Sequence, residues 1–395
     1  FPKNLLVNFV LRHVRREVPS YKLPNSVTFR HALNAGTNEQ LSHVEIGLAD
    51  IAYLQYTGGT TGVSKGAMLS HRNMVYNVAQ SMHWQGDAYD GVEPLVAITA
   101  LPLYHIFSLQ GNCLLVMAQG GLNVLITNPR DMPGFVKEIA KFKFNLLTGV
   151  NTMFAGLLNT PGFSDIDFAP LRVVVGGGMA VQPAVARHWH EVTGKPIVQG
   201  YGLTETSPAA VCNTIDGEFT GSIGLPIPST EAMIAGDDGN ELPVGEVGEI
   251  CLKGPQVMEG YWQRPAETAE VMLPGGWLRT GDIGRMDEGG FIYIEDRKKD
   301  MILVSGFNVY PNEVENVVVE MEGILEAAAI GIADEKSGEI VKVFAVRKHE
   351  NISEQDVIDY CRENLTGYKR PKLVEFRDEL PKTNVGKILR RALRD

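Results

Sequence analysis

The sequence predicts an α/β protein with a parallel sheet, joined to a β-rich subdomain and a small α+β domain. Apolar runs of strand length alternate with helical segments between residues 96 and 199, and repeated βα units of this kind build a mostly parallel sheet. From about Gly217 short apolar runs separated by turns replace this pattern, and after residue 300 helices and strands alternate again. A chain of 395 residues has room for roughly two to three domains, each with its own core.

These changes along the chain set the predicted domain boundaries. We expect a large α/β domain over residues 1–216, its β-rich subdomain over residues 217–296, and a small mobile domain over residues 300–395. A dense charge run at residues 296–300 precedes an apolar segment. It is either a solvated turn or, as we predict for residues 297–299, a hinge between domains.

Composition and charge exclude some classes of protein. Charged residues make up 21% and apolar residues 44% of the chain, which is typical of a globular protein rather than a disordered one. The net charge of −11 argues against nucleic-acid binding but leaves room for a local pocket that binds a small anion. The four cysteines are far apart and form no C-x-x-C pair, which indicates free thiols in the reducing cytoplasm.

Neither a leader nor a membrane span is expected. The chain begins at Phe1 without a charged-then-apolar segment, so no secretory signal is predicted. The longest uncharged stretch, residues 106–129, is interrupted by polar residues and glycines, and a helix, a turn and a strand explain it better than a membrane span. Residues 5–18 predict an amphipathic helix whose basic face is either solvated or meets a membrane surface.

The segment at residues 56–66, YTGGTTGVSKG, predicts a site for a polyphosphate. Glycines turn backbone N–H groups toward an anion, and hydroxyls and a lysine add donors and charge. The order of its serine, lysine and glycine differs from the common P-loop pattern. A flexible surface loop is the alternative, but the segment lies between an apolar run and a helix that Ser70 would cap. We expect this loop at the N-terminus of that helix, where the dipole favours phosphate.

Further motifs follow predicted strands, where ligands of parallel sheets bind. They are residues 101–107 (LPLYHIF), the triple glycine at residues 176–178 and residues 201–206 (YGLTET). A histidine flanked by aromatic residues, such as His105, is as often a packed core residue as a site residue. Asp237-Asp238-Gly239-Asn240 predicts a hairpin turn in the β-rich part. The chain ends in a basic segment, predicted to be helical, after residues 381–387 (PKTNVGK), where Lys387 alone would suggest ordinary surface charge.

Together the motifs resemble those of the acyl-adenylate-forming superfamily, which contains acyl- and aryl-CoA ligases, luciferases and peptide-synthetase adenylation domains. Six segments match in order: residues 56–66, 101–107, 176–178, 201–206, 280–282 with 296–299, and 381–387. Residues 276–299 are similar to the corresponding stretch of fatty acyl-CoA synthetases, and residues 300–313 and 373–391 to bacterial long-chain-fatty-acid–CoA ligases. Family members begin with a further region to which no residues here correspond, so the large domain is expected to be partial.

The resemblance implies a reaction in two halves. A carboxylate attacks the α-phosphorus of ATP to give acyl-AMP and pyrophosphate, and CoA then displaces AMP to give the thioester. By resemblance the triphosphate-binding residues are Thr57, Gly58, Gly59, Thr60, Thr61, Gly62, Ser64 and Lys65, and those around adenine are Gly176, Gly177, Gly178, Tyr201 and Gly202. It implies that Glu205 binds Mg²⁺ with Thr57 as a second contact, and that Thr204 lies near the α-phosphate.

The remaining implied roles concern the ribose, the acyl group and CoA. Asp282 and Arg297 would contact the ribose, and Lys387 would reach the α-phosphate and the carboxylate. His105 would lie on the carboxylate side. Lys299 would be the hinge about which the small domain rotates between half-reactions, bringing Ser305 and Gly306 to CoA. The acyl pocket is expected along residues 104–107, 149–153 and 179–181.

The resemblance also implies the partners: a long-chain fatty acid, ATP and CoA, with peripheral contact at the inner membrane and a homodimer. Two groups of alternatives stay open. One is another adenylating enzyme: a medium-chain or aryl acid CoA ligase, or an acyl-AMP ligase that uses a carrier protein. The other is an inactive fragment that binds nucleotide or acyl-CoA. Retention of both Glu205 and Lys387 argues against the fragment.

Overall fold

The computed structural model describes residues 2–57, 64–215, 217–348, 351–383 and 386–394, and it divides into two compact units, Phe1–Ile46 and Gly47–Asp395. In the first unit, α1 (Pro2–Phe9) continues into a π-helical turn at Val10–Val14, and α2 covers Phe29–Gly36. The helix predicted for residues 5–18 therefore begins and ends earlier than expected. Arg16 has a φ of 52°, which a right-handed helix cannot accommodate.

A hairpin and a seven-stranded sheet begin the second unit. The hairpin consists of β1 (Ile51–Tyr56) and β2 (Gly66–Ser70), paired antiparallel with Tyr56 opposite Gly66. The strands of the sheet are β3 (Val96–Thr99), β4 (Leu122–Leu125), β5 (Leu146–Gly149), β6 (Val173–Gly176), β7 (Val198–Gly202), β8 (Ala209–Cys212) and β9 (Leu225–Pro226). Their order is β4-β3-β5-β6-β7-β8-β9, parallel from β4 to β7 and antiparallel beyond. The predicted parallel sheet is confirmed.

Helices of this part connect the strands and supply the core. They are α3 (His71–Gln85), α4 (Ile106–Ser108), α5 (Leu115–Ala118), α6 (Met132–Ile139), α7 (Asn151–Leu158) and α8 (Pro183–Thr193), with a π-helical turn at Leu109–Leu114 between α4 and α5. Ser70 caps α3 as predicted, because its side chain accepts from the Asn73 N–H in a capping box. The core between sheet and helices contains Phe154, Phe163 and Trp189, which pack ring against ring.

The β-rich part forms a second sheet. Its elements are β10 (Glu231–Ala235), β11 (Gly248–Lys253), α9 (Pro265–Val271), β12 (Met272–Leu273), β13 (Trp277–Met286) and β14 (Ile292–Arg297). The strand order is β10-β11-β13-β12, with β14 on the other side of β13. The hairpin predicted at residues 237–240 is confirmed, because β10 and β11 pair antiparallel with Glu231 opposite Lys253. The central strand β13 was missed, because its sequence WLRTGDIGRM shows little apolar alternation.

The last part of the chain forms an α+β layer of its own. It contains β15 (Ile302–Val304), β16 (Phe307–Val309), α10 (Pro311–Glu320), β17 (Ile324–Asp334), β18 (Gly338–Arg347), α11 (Glu354–Asn364) and β19 (Leu373–Phe376). The sheet order is β16-β15-β18-β17, with β19 parallel to β18. The predicted basic helix at the end is a 3₁₀ turn at Arg390–Leu393. The α+β architecture is confirmed, whereas the boundaries at residues 216 and 297–299 and the mobility of this part stay predictions.

Candidate active site

A cavity of about 1250 Å³ opens at the carboxyl ends of the parallel strands. Residues of β5, β6 and β7 line its floor, and the β1–β2 hairpin, strand β13 around Asp282 and the segment around Lys387 line its sides. This is where ligands of open parallel sheets bind. The structure therefore brings the first and the last of the predicted motifs to one cavity, although they are more than 300 residues apart in the sequence.

The two ends of the Gly/Thr segment, Thr57 at one and Ser64 with Lys65 at the other, lie at the edge of this cavity. The Thr57 N–H donates to the Lys65 carbonyl over 2.8 Å, and Thr57, Ser64 and Lys65 line the cavity. The predicted phosphate contacts Gly58, Gly59, Thr60, Thr61 and Gly62 lie outside the described residues. One expectation is wrong: strand β2 separates the segment from α3, so the helix dipole of α3 is not available at this loop.

Tyr261, which belongs to none of the predicted motifs, contacts both Lys65 and Glu205. Glu205 follows β7 in a 3₁₀ turn at Thr204–Thr206, and the Tyr261 hydroxyl donates to its Oε1 over 2.6 Å. The Lys65 ammonium lies 5.0 Å from the centre of the Tyr261 ring, within cation–π range. Burial and the negative charge of Glu205 raise the pKa of Tyr261, so the phenol stays a donor. Thr204 lines the same cavity.

The triple glycine packs too closely for side chains. A Cβ on Gly177 would lie 3.1 Å from both the Gly200 carbonyl oxygen and the Phe107 ring, and Gly178 has a φ of +75°. A Cβ on Gly202 would lie 1.8 Å from the Pro208 carbonyl oxygen. Gly177, Gly178 and Gly202 line the large cavity, whereas Gly176 lines a smaller cavity of about 390 Å³ beside it. Because these glycines lack side chains, the backbone can pass close to its neighbours along the cavity wall.

Tyr201, Asp282 and Arg297 form a connected group in the cavity wall. The Tyr201 hydroxyl donates to Asp282 Oδ2 over 2.7 Å, and Arg297 Nε lies 3.4 Å from Asp282 Oδ1. These two contacts hold the Asp282 carboxylate in one orientation. The residue is buried, with 6% of its surface exposed. Burial, followed by the charge of Asp282, raises the pKa of Tyr201. The hydroxyl of Tyr201 thus faces the carboxylate, while the predicted stacking of its ring on adenine stays a prediction.

Lys387 enters the cavity beside His105 and Arg297. Burial and then the positive charge of Arg297 lower the pKa of Lys387 to about 8, against an opposing effect of Asp282. Burial and the charge of Lys387 also lower the pKa of His105, whose Nδ1 accepts from the Phe107 N–H over 3.3 Å. The Thr152 hydroxyl, on α7, donates to the Gly386 carbonyl over 3.1 Å. This contact fixes the lysine segment against the sheet domain.

Two predicted site residues lie elsewhere. Ser305 and Gly306 form the turn between β15 and β16, with φ values of 52° and 82°, and neither lines the large or the smaller cavity. Lys299 does line the large cavity. Of the predicted nucleotide residues that the structure describes, most line one cavity together with Lys387, and the predicted CoA contacts Ser305 and Gly306 lie outside it.

Two family models match this chain. That of the AMP-binding enzyme matches residues 10–262, and that of the AMP-binding enzyme C-terminal domain matches residues 313–387. The chain belongs to the AMP-binding enzyme family. It is 56% identical over 394 residues to a long-chain-fatty-acid–CoA ligase of Escherichia coli O6:H1 (strain CFT073) and 54% identical over 398 residues to one of Haemophilus influenzae. Both alignments cover 100% of this chain and 70% of the relative. The resemblance noted in the motifs is thus confirmed.

Solved structures of the family agree with the fold. ATP-bound MatB from Rhodopseudomonas palustris superposes with a TM-score of 0.82 at 33% identity, covering 91% of this chain and 71% of that one. The apo form of the same protein gives a TM-score of 0.70 over 91% of this chain and 70% of that one. The arrangement of this chain is therefore nearer to the ATP-bound form of that AMP-binding enzyme than to its apo form.

Within this AMP-binding enzyme, the donor set fits a magnesium ion that arrives with a triphosphate. Among the described residues no three His, Cys, Asp or Glu side chains cluster as a metal site. Mg²⁺ prefers one or two carboxylates together with phosphate oxygens and water. Glu205 lines the cavity as a carboxylate and Thr57 as a hydroxyl near its edge, which is such a set. Both residues remain predicted ligands.

The residues that line the apolar part of the cavity were only partly predicted. Of the three expected acyl-pocket segments, residues 104–107 line the large cavity and residues 179–181 the smaller one. The segment at residues 149–153 is divided, with Val150 in the large cavity and Asn151 and Thr152 in the smaller one. Side chains of the parallel strands and their neighbours form the deep wall: Leu146, Val173, Val175, Val211 and Ile215. No pattern in the sequence distinguishes the core face of a strand from a cavity wall.

Proposed function

We propose that this AMP-binding enzyme is a long-chain-fatty-acid–CoA ligase that converts a fatty acid, ATP and CoA into acyl-CoA, AMP and pyrophosphate. The observation that carries the proposal is the meeting of Lys387 with the nucleotide motifs in one cavity, in a chain 54–56% identical to ligases of that name. The cavity of about 1250 Å³ exceeds the roughly 300–1,000 Å³ of ordinary ligand pockets. It thus has room for a nucleotide and a second substrate.

In the first half-reaction a carboxylate oxygen forms a bond to the α-phosphorus, the bond from that phosphorus to the bridging oxygen breaks, and pyrophosphate leaves. Both reactants are anionic, so the site must align them and offset their repulsion. Lys387 supplies positive charge at the α-phosphate and the carboxylate, with Thr204 as a donor and His105 on the carboxylate side. A lysine with a pKa of about 8 is still mostly protonated at neutral pH.

The nucleotide is held by the remaining predicted residues. Lys65, Ser64 and Thr57 contact the β- and γ-phosphates together with the glycine segment, and Asp282 accepts hydrogen bonds from the ribose hydroxyls. The Tyr201 hydroxyl and Arg297 support this role, because both hold the Asp282 carboxylate in place. Bound Mg²⁺ would neutralise part of the phosphate charge. Glu205, oriented by the Tyr261 hydroxyl, and Thr57 would hold it.

In the second half-reaction the CoA thiolate forms a bond to the acyl carbonyl carbon of acyl-AMP, and AMP leaves. Lys387 occupies one approach to that carbonyl, so the small domain has to rotate about Lys299 before CoA can react. The position of Ser305 and Gly306 outside the cavity is consistent with a turn that reaches the cavity only after this rotation.

Membrane contact and a homodimer belong to the proposal as well. The contact we propose is peripheral, as the family resemblance implies. Among the described residues no helix is long and apolar enough to cross the bilayer. Sedimentation with vesicles of mixed phosphatidylethanolamine and phosphatidylglycerol tests the contact, and light scattering after gel filtration tests the dimer. Protein that stays in the supernatant, or elutes with the mass of one chain, contradicts the respective part.

The decisive test is pyrophosphate release from ATP with oleate. We expect release that depends on oleate and Mg²⁺, and AMP formation that CoA accelerates. A panel of acids from six to eighteen carbons, with benzoate added, distinguishes a long-chain ligase from a medium-chain or aryl acid ligase. Acyl transfer to a carrier protein in place of CoA would favour an acyl-AMP ligase. No pyrophosphate release with any acid would leave a fragment that only binds nucleotide or acyl-CoA.

A further inference from the structure

A buried ion-pair network joins the last turn of the chain to both sides of the predicted hinge. At its centre is Arg390, which we group with its four partners as the Arg390 cluster: Asp296, Asp300, Asn312, Glu315 and Arg390. Arg390 Nε and Nη2 donate to the two carboxylate oxygens of Glu315 over 2.9 and 2.8 Å. Nη2 also donates to Asn312 Oδ1 over 2.7 Å. Nη1 donates to Asp296 and Asp300 over 3.4 and 3.3 Å.

Only one carboxylate of the cluster precedes the hinge. Asp296 lies in β14 and is 1% exposed, and its Oδ2 accepts from the Asn312 backbone N–H on α10 over 2.8 Å. Its Oδ1 accepts from Arg390 Nη1. The Asn312 side chain donates in turn to the Glu295 carbonyl over 3.3 Å. These three hydrogen bonds cross residues 297–299, whereas the bonds from Arg390 to Glu315, Asn312 and Asp300 lie within the small domain.

The cluster is rigidly connected to Lys387. The Thr383 N–H donates to the Lys387 carbonyl over 2.7 Å, and the Leu389 N–H donates to the Pro381 carbonyl over 2.8 Å. Arg390 follows directly. The position of Lys387 relative to the sheet domain therefore depends on the bonds that join the small domain to β14, in addition to the contact between Thr152 and Gly386.

We propose that Asp296 and Arg390 are positioning residues that hold the small domain in the orientation in which Lys387 reaches the active-site cavity. The inference rests on the proposed function, since it assigns Asp296 and Arg390 to the adenylation half-reaction. Rotation of the small domain would break the bonds to Asp296 and Glu295 but keep the bonds of Arg390 to Glu315 and Asp300. The closer superposition on an ATP-bound relative than on its apo form is in line with an orientation suited to ATP.

The charge of Asp296 is part of this contact. Burial raises the pKa of Asp296 to about 6, while the charge of Arg390 and the Asn312 N–H act in the opposite direction and Glu315 adds to the increase. The carboxylate is thus ionised at neutral pH, and replacing it by an amide removes a charge from the contact with Arg390. Hydrogen bonds to ionised groups are stronger than those between neutral groups.

The test compares both half-reactions in Asp296→Asn and in a matched control. Asp300→Asn makes the same chemical change next to the same arginine, but on the far side of the hinge. Adenylation is measured as pyrophosphate release, and thioester formation as acyl-CoA from purified oleoyl-AMP and CoA. If both conformations exchange quickly, the ratio of the two rates follows their population ratio. We expect the ratio of the adenylation rate to the thioester-formation rate to fall about tenfold in Asp296→Asn and to stay within twofold of the parent value in Asp300→Asn.

Arg390→Lys provides a second variant that keeps the charge but cannot reach Glu315 and Asp296 together. The ratio should fall here too, by less than in Asp296→Asn. A purely structural role would lower both half-reactions together and leave their ratio unchanged, which would overturn the proposal. The same conclusion follows if Asp300→Asn changes the ratio as much as Asp296→Asn does.

Hydrogen exchange gives a readout that does not require activity. In Asp296→Asn, amides of residues 386–394 should exchange at least about threefold faster than in the parent protein, while those of β11 keep their rate. Unchanged exchange at residues 386–394 contradicts the proposal. If the parent protein releases no pyrophosphate, the proposed function fails, and the exchange measurement still decides whether Asp296 holds the small domain.

Discussion

Lys387 lies in an environment that makes its charge both costly and useful. Burial and Arg297 lower its pKa, so an anionic phosphate would find a poorly solvated cation that gains from pairing. A unit charge about 4 Å away at an effective dielectric constant near 20 is worth about 4 kcal/mol.

Lys387→Ala should therefore slow adenylation by at least about 100-fold, because that charge acts where negative charge builds up in the transition state. Thioester formation from supplied oleoyl-AMP should change far less, since the proposed rotation moves the lysine away before that step. The measurement is single-turnover formation of oleoyl-AMP, with circular dichroism to verify the fold. Adenylation near the parent rate would contradict the role given to Lys387.

The lowered pKa of Lys387 also predicts a pH dependence. The protonated, active form exists below a pKa of about 8 and is lost as the pH rises through it. The kcat/KM for ATP in adenylation, which reports the free enzyme, should fall above pH 8 and approach a tenfold loss per pH unit. A profile that stays flat to pH 10 would show that the lysine titrates at its ordinary value in the free enzyme.

Two side chains of the site show what residue types alone do not reveal. Tyr261 contacts Glu205 from 56 residues away in the sequence, and Arg390 contacts Asp296 from 94 residues away. Neither Tyr261 nor Arg390 belongs to a pattern with a spacing that chemistry requires. Only the fold could identify these partners.

At the scale of elements, residues 298–301 connect β14 to β15 through a turn. The Lys298 N–H donates to the Gly281 carbonyl over 3.0 Å, and the Asp300 N–H donates to the Arg297 carbonyl over 2.9 Å. Lys299 lies between these bonds, at the place where the predicted rotation has to occur.

Lys299→Pro should spare adenylation and impair thioester formation. Proline fixes its own φ and restricts the residue before it, so the segment would lose the backbone freedom that the predicted rotation requires. We expect adenylation within about threefold of the parent and thioester formation at least about tenfold slower, as measured from oleoyl-AMP and CoA. Lys298→Ala, which leaves the backbone free, serves as control. Equal losses in both half-reactions would contradict a hinge at this position.

Elements with a strong local signal were predicted well. The cap at Ser70 and the hairpin of β10 and β11 follow from contacts between near neighbours in the sequence. The errors occurred where local preference was weak. Strand β2 separates the phosphate segment from α3, and β13 is held by its neighbours β11 and β14 rather than by its own pattern.

On the scale of the whole molecule, the cavity joins the nucleotide site to an apolar wall beneath the sheet domain. Val175 lies in β6 on that wall, close enough to β7 that a Cβ on Gly200 would be 3.5 Å from its Cγ1. The strands that form the floor of the nucleotide site thus also limit the depth available to an acyl chain.

Val175→Phe should shift the preferred substrate from long to medium-length acids. The larger ring would fill the deep end of the cavity, and each methylene that no longer fits forfeits about 0.8 kcal/mol of burial. The ratio of kcat/KM for oleate to that for octanoate should fall at least about tenfold, whereas KM for ATP stays within twofold. Val244→Phe, at an exposed valine, is the control. A rise in the KM for ATP with an unchanged chain-length ratio would place the acyl chain elsewhere.

By itself the sequence determined the class of the fold, most of its helices and strands, and the motifs for which a triphosphate site is predicted, because these depend on periodicity, glycines and caps within a few residues. Tertiary structure alone decided which side chains meet. Three groups of contacts join distant parts of the chain. They are the Tyr261 hydroxyl with Glu205, Tyr201 and Arg297 with Asp282, and the carboxylates with Arg390. Their pairing depends on how separate elements pack, and a buried charge is stabilised only by the partner that packing brings to it.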